Sequence, residues 1–219
     1  MIINKLRFTG ILTCIILLAS CGMRQRQAGG FTETELALIH GSDSIMRVLT
    51  IDDLADLSVL RAKSSDLSDS ALMSDEFARL AELMVATVTH PSQDGVGIAG
   101  PQIGLNRRVV AVQRFDKEGE PFEVYPNVRI IWASDSLASG PEGCLSVPDR
   151  RGEVLRSQEI VIEYADIDGA EYSWKEDRLN SNWCAKQVPM VRDTVTGFTA
   201  VIFQHEIDHL DGVLYIDRI

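Results

Sequence analysis

The sequence predicts an α+β fold in which antiparallel strands pack around a central helix. Two stretches, residues 75–90 and 194–210, carry apolar side chains at helical spacing. Between them run short β-branched or alternating segments separated by Gly, Pro and Asp-Gly signals, the pattern of strands joined by turns. The chain has 219 residues, 45% hydrophobic and 24% charged, enough for one domain with a real core. Its formal net charge is −11. No nucleic-acid partner is expected, because binding a phosphate backbone needs a basic face.

The first residues read as an address rather than as fold. Lys5 and Arg7 precede an apolar run, Ile11 to Leu18, which falls far short of the roughly 20 residues that span a bilayer. The run leads into "LASC", which resembles the lipobox of bacterial lipoproteins. On that reading residues 1–20 are a signal peptide and Cys21 is the lipidated first residue of the mature chain. The protein would then be a membrane-anchored, extracytoplasmic lipoprotein. Residues 21–47 are expected to be a tether and irregular lead-in, and the folded domain to span 48–219.

Within that domain, Ser74 is placed to cap the helix of residues 75–90, with Asp75 and Glu76 in its first turn. "HPSQDGVGIAGPQIGLN" reads as a shaped loop, since its glycines and prolines break a helix. "RRVVAVQRF" reads as a strand and "FEVYPNVRIIWAS" as one or two more. "SGPEGCLSVPDRRGEVLR" reads as a second loop, and "EIVIEYADIDGAEYSW" as a hairpin turning at Asp168-Gly169. Residues 175–193 are polar and irregular. The last helix, "TVTGFTAVIFQHEIDHL", puts Phe198, Val201, Ile202, His205 and His209 on one inward face, with Asp211-Gly212 as its stop.

That helix carries the chemistry. Histidines four residues apart lie one above the other on a helix and can hold one metal ion, and Glu206, directly after the first, could move protons. Two hydrogen-bonded core histidines would give the same spacing. The apolar stripe running through both favours a metal-binding helix. A catalytic metal usually takes three protein ligands and keeps one position open. Only ten residues follow His209. Asp211 faces off the metal side and Asp217 is a poor candidate, so the third ligand is expected earlier in the chain. Cys144 in "EGCLS" offers a thiolate, a strong ligand for iron(II), zinc or cobalt. Alone, it could equally be a small buried residue.

Three segments stand in order: "GVGIAGPQIG" (95–104), "EGCLS" (142–146) and "QHEIDHL" (204–210). Together they resemble the motifs of the peptide deformylases, over about residues 48–219. The resemblance implies hydrolysis of the N-formyl group from N-formylmethionyl peptides or proteins, with release of formate. It implies a metal held by Cys144, His205 and His209, usually Fe2+, with Zn2+, Ni2+ or Co2+ able to substitute. It implies Glu206 as general acid and base, and Gln102 with the Leu145 backbone N–H as oxyanion donors. Val96, Gly97 and Ile98 would pair with the substrate main chain, and Arg151, beside Arg150, would face the substrate. Gly100 stands where the family usually has Ala, and residues 174–193 are longer than the family's link. The export signal sets the chain apart, because formylated nascent chains are made in the cytosol. The alternative is a non-catalytic peptide-binding lipoprotein that keeps the fold.

Overall fold

The computed structural model describes residues 29–174 and 184–219. The expected signal peptide, Cys21 and residues 175–183 of the polar stretch lie outside the described residues.

Thr32 opens the first helix, α1 (Glu33–Gly41), through a capping box. The Glu35 N–H donates to the Thr32 hydroxyl and the Thr32 N–H to the Glu35 carboxylate. A helix therefore stands inside the stretch that reads from sequence as an irregular lead-in. Its apolar stripe is weak, with Ile39 as its buried residue. What holds it is an ion pair between Glu35 and the largely buried Arg107, at 2.7 Å. Two short helices follow, α2 (Leu54–Leu60) and α3 (Asp69–Leu72), and then α4 (Asp75–Val88). Ser74 caps α4 as expected, accepting from the Phe77 N–H at 3.2 Å. Such a cap is worth about 1 kcal/mol.

The strands come next: β1 (Gly97–Ala99), β2 (Val109–Gln113), β3 (Phe122–Pro126), β4 (Arg129–Ala133), β5 (Leu137–Cys144), β6 (Val147–Ser157), β7 (Glu159–Ala165), β8 (Glu171–Trp174), β9 (Cys184–Gln187) and β10 (Met190–Thr196). β1, β2 and β3 form one antiparallel sheet in that order. β10, β7 and β4 form a second, and β5 pairs with β6. The last helix, α5 (Gly197–Leu210), runs between the two sheets.

β2 shows why the helix is central. Val109 and Ala111 pack with α4 residues such as Leu80 and Met84. Val110 and Val112 point the other way and pack with Ala200, Phe203 and Ile207 of α5. A strand buried on both faces needs the continuous apolar run that "VVAV" supplies. From its far side α5 meets Ile160 and Ile162 of β7 and Val195 of β10. The helix stops at Gly212, whose φ of +74° and contact with the Arg61 backbone leave no room for a Cβ.

The fold is α+β, as the sequence predicts, but several elements differ. "SGPEGCLSVPDRRGEVLR" forms most of the β5–β6 pair rather than a loop. The β7 and β8 segments are not partners: β7 lies between β4 and β10, while β8 pairs with β9. "TVT", at 194–196, ends β10 and does not belong to the helix. The loop of residues 90–106 contains β1 and a 3-10 turn, Gly100–Ile103. No helix among the described residues is long and apolar enough to cross a membrane.

Candidate active site

Cys144 is delivered by an irregular pairing. β5 and β6 run in register from Leu137 opposite Ser157 to Glu142 opposite Gly152, and pair once more at Cys144 opposite Val147. Between those pairs Gly143 alone faces the four residues Pro148–Arg151. A bulge of this kind bends its strand and re-aims the neighbouring side chains. Here the Cys144 Sγ lies 3.2 Å from the His209 Nε2. Donor atoms of Cys144, His205 and His209 all fall within 4.8 Å of one another. The sulfur is a free thiol rather than half of a disulfide.

His205 is held in place from behind. Its Nδ1 lies 2.8 Å from Glu142 Oε2. Glu142 in turn accepts a fork from Arg156 at 2.7 and 3.0 Å. Arg156 also donates to Asp208 on α5 at 2.7 Å, and Asp208 takes a second fork from Arg218. Burial works to raise the Glu142 carboxyl, but the Arg156 guanidinium and the His205 ring outweigh it and hold it down at about 2. A carboxylate on Nδ1 fixes the ring and leaves Nε2 for a metal, the arrangement common behind histidine ligands. His209 lacks this support, since its Nδ1 is buried with no hydrogen-bond partner among the described residues. A thiol and two imidazoles converging in this way fit a transition-metal ion of the iron or zinc kind.

Gln102 sits in the 3-10 turn and is almost fully buried. Its Oε1 accepts from the Ala99 N–H at 2.8 Å, which turns the amide nitrogen toward the site. That Nε2 lies 3.5 Å from the Cys144 sulfur and 3.3 Å from the Ser146 hydroxyl. Glu206 is buried beside the ligands, and its Oε2 has no hydrogen-bond partner among the described residues. Burial pushes its carboxyl up to about 7, although the neighbouring His205 opposes the shift. Strand β1 crosses directly over it. A Cβ at Gly97 would lie 2.5 Å from Glu206 Oε1, so only glycine lets strand and helix approach this closely.

These groups open onto a cleft of about 790 Å³. Val96, Gly97, Gln102, Cys144, Leu145 and Glu206 line it, as do Arg150 and Arg151. β1 has β2 on one side only, and its other edge borders the cleft. Ile98, expected at the substrate edge, does not line the cleft: it is fully buried, in the core cluster that includes α4. Phe198 stands at the cleft wall, 58% exposed and packed on Phe115, rather than in the interior with the histidines. Asp211 and Asp217 are tied to Arg108 and Arg61, away from the metal donors. Sequence reasoning passed over Glu142, Arg156 and Asp208. The signal for two of them was in view: Glu142 precedes Cys144 by two residues and Asp208 precedes His209 by one.

Comparison with known proteins gives the same picture. A model of the polypeptide deformylase family matches residues 45–193 and 185–219. Peptide deformylase 2 of Gloeobacter violaceus is 37% identical over 173 residues, covering 78% of this chain and 79% of its own. Peptide deformylase of Caulobacter vibrioides is 32% identical over 178 residues, covering 80% of this chain and 88% of its own. Among solved structures, the Met-Ala-Ser-bound class I type b peptide deformylase of Acinetobacter baumannii superposes with a TM-score of 0.63. It is 31% identical and covers 80% of this chain and 98% of its own. Matches of this extent, with the cysteine, the two histidines and Glu206 gathered at one cleft, place the chain in the peptide deformylase family.

Proposed function

We propose that this deformylase removes the formyl group from N-formylmethionyl peptides, with Fe2+ held by Cys144, His205 and His209 and with Zn2+, Ni2+ or Co2+ able to substitute. When bound, the metal supplies a Lewis acid that brings the pKa of a water toward neutrality. The residues of the chain do the rest. Glu206 takes the proton of the attacking water and returns it to the departing amine. Gln102 Nε2, 3.5 Å from the Cys144 sulfur, and the backbone N–H of Leu145, the residue that follows Cys144, stabilise the charge that develops on the formyl oxygen. One such donor is worth about 3 kcal/mol in other hydrolases. The stretch Val96–Ile98, leading into the open edge of β1, receives the substrate main chain as an added strand, and Arg151 faces its side chains.

The single observation that carries this reading is the orphan Glu206 carboxylate. A buried carboxylate with an unpartnered oxygen costs stability in a mere binding module, and it persists where a reaction uses it. The test is formate release from formyl-Met-Ala-Ser by protein loaded anaerobically with iron or nickel. No formate from properly metallated protein would overturn the reading.

The address belongs to the same proposal. The basic start, the short apolar run and "LASC" support a lipoprotein anchored through lipid on Cys21 and working outside the cytoplasm. Mass spectrometry of the mature N-terminus is expected to find acylated Cys21. An intact Met1 or a start elsewhere would refute the anchor without touching the chemistry.

A further inference from the structure

Arg150 and Arg151 occupy the stretch of β6 that faces Gly143 across the bulge. On a regular strand, consecutive side chains point to opposite faces. Here both line the cleft, because Asp149 takes a φ of +59° and the ladder is broken around it. Arg151 packs beside Gly143, with its guanidinium carbon 3.9 Å from where a Cβ on that glycine would be.

Among the described residues, neither arginine side chain has a carboxylate partner or a hydrogen bond. Every other arginine among the described residues has one: Arg79 bonds the carbonyls of Ile39 and Ser42, and the rest engage carboxylates. In a chain of net charge −11, acids are plentiful, yet these two cations are left open at the cleft. Asp149 and Asp94 also line it, and neither pairs with them.

We infer that Arg150 and Arg151 form a carboxylate-binding wall that selects formyl peptides carrying a negative charge two or three residues beyond the formylmethionine. This deepens the proposed function and rests on it. The spacing follows from strand geometry. Val147 lies opposite Cys144, and Arg150 and Arg151 are three and four positions further along β6, about 10–13 Å if extended and less across the bulge. An extended substrate held at the β1 edge, with its formyl group at Cys144, covers a comparable distance in two to three residues. The carboxylate could be an Asp or Glu side chain, or the free C-terminus of a formylated tripeptide.

The test uses the metal-loaded full chain and two matched pairs. Formyl-Met-Ala-Glu-amide against formyl-Met-Ala-Gln-amide reads the side-chain source, and formyl-Met-Ala-Ser as acid against its amide reads the terminal source. In at least one pair the charged member is expected to have about a fivefold lower KM with similar kcat, an advantage that shrinks in 0.5 M salt on the order of the screening of a half-exposed ion pair. Arg150→Gln and Arg151→Gln should each bring the ratio toward one. A ratio of one in both pairs, a preference for the neutral member, or ratios untouched by both substitutions would overturn the inference. Calorimetric binding of the deformylated Met-Ala-Glu-amide and Met-Ala-Gln-amide gives the same comparison without turnover. If no formyl peptide is cleaved but the glutamate product binds more tightly and Arg150→Gln abolishes the difference, the wall stands and the deformylase reading falls. If all are cleaved alike and bound alike, the reverse holds.

Discussion

At the scale of single residues, the site separates holding a metal from moving protons. Cys144→Ala removes a donor that lies 3.2 Å from His209 and is expected to empty the site, whereas Cys184→Ser should retain metal; elemental analysis of both variants checks the assignment. Equal loss from both would show that the ligands are wrong. Glu206→Ala should keep the metal and lose turnover by about 10²-fold or more, the scale of general acid–base catalysis. Glu206 also ties metal-free stability to pH. Its folded carboxyl is raised to about 7 from an ordinary 4.5, so the native state binds the extra proton between those values. Stability is therefore full below pH 4.5 and is lost as pH rises through 7, by about 3 kcal/mol. Urea melts of metal-free protein should show this slope, and Glu206→Gln should flatten it. A slope unchanged in the variant would assign it to another group.

At the scale of elements, what was legible followed from periodicity, and what was missed followed from partners that sequence does not name. Helix α4 and its Ser74 cap could be read because stripe and cap are local. Strand β2 could be read because both of its faces are buried. The β5–β6 pair was hidden by its own punctuation: Pro141, Gly143 and Pro148 signal a loop, yet Pro141 pairs in register with Glu153, and Gly143 and Pro148 lie in the bulge that aims Cys144. Asp168-Gly169 signalled a hairpin, but β7 finds better neighbours in β4 and β10. The ligand and acid–base candidates were readable as a motif, whereas the Arg218–Asp208–Arg156–Glu142–His205 chain was not, because it joins β5, β6, α5 and the C-terminus. Replacing Arg156 by Met leaves Glu142 and Asp208 without their shared cation, a loss of about 3–5 kcal/mol for a buried pair. Glu142 gives that loss a pH signature. Its carboxyl is depressed to about 2, so its contribution is present above the unfolded value of 4.5 and disappears as pH falls toward 2. The gap between wild type and Arg156→Met in denaturant melts should therefore be wide at pH 7 and narrow near pH 3. A gap that did not change with pH would mean that packing alone, not charge, explains the loss.

At the scale of the whole molecule, function depends on how closely one sheet can lie on the central helix. β1 is held by β2 on one side, borders the cleft on the other, and passes over Glu206 at the one position where it has no side chain. Gly97→Ala tests that spacing. The added methyl would stand 2.5 Å from Glu206 Oε1, and Glu206 is buried too deeply to swing freely into water. Either the carboxylate turns away from the cleft or β1 lifts from α5, and overpacking of this kind costs about 1–3 kcal/mol. Both responses leave Cys144, His205 and His209 where they are, so metal content should stay at the wild-type level. Both also disturb the acid–base group and the substrate edge together, so kcat should fall while KM rises. Equal metal with unchanged kinetics would show that the strand has slack here, and that the close contact between β1 and α5 is packing without consequence for catalysis.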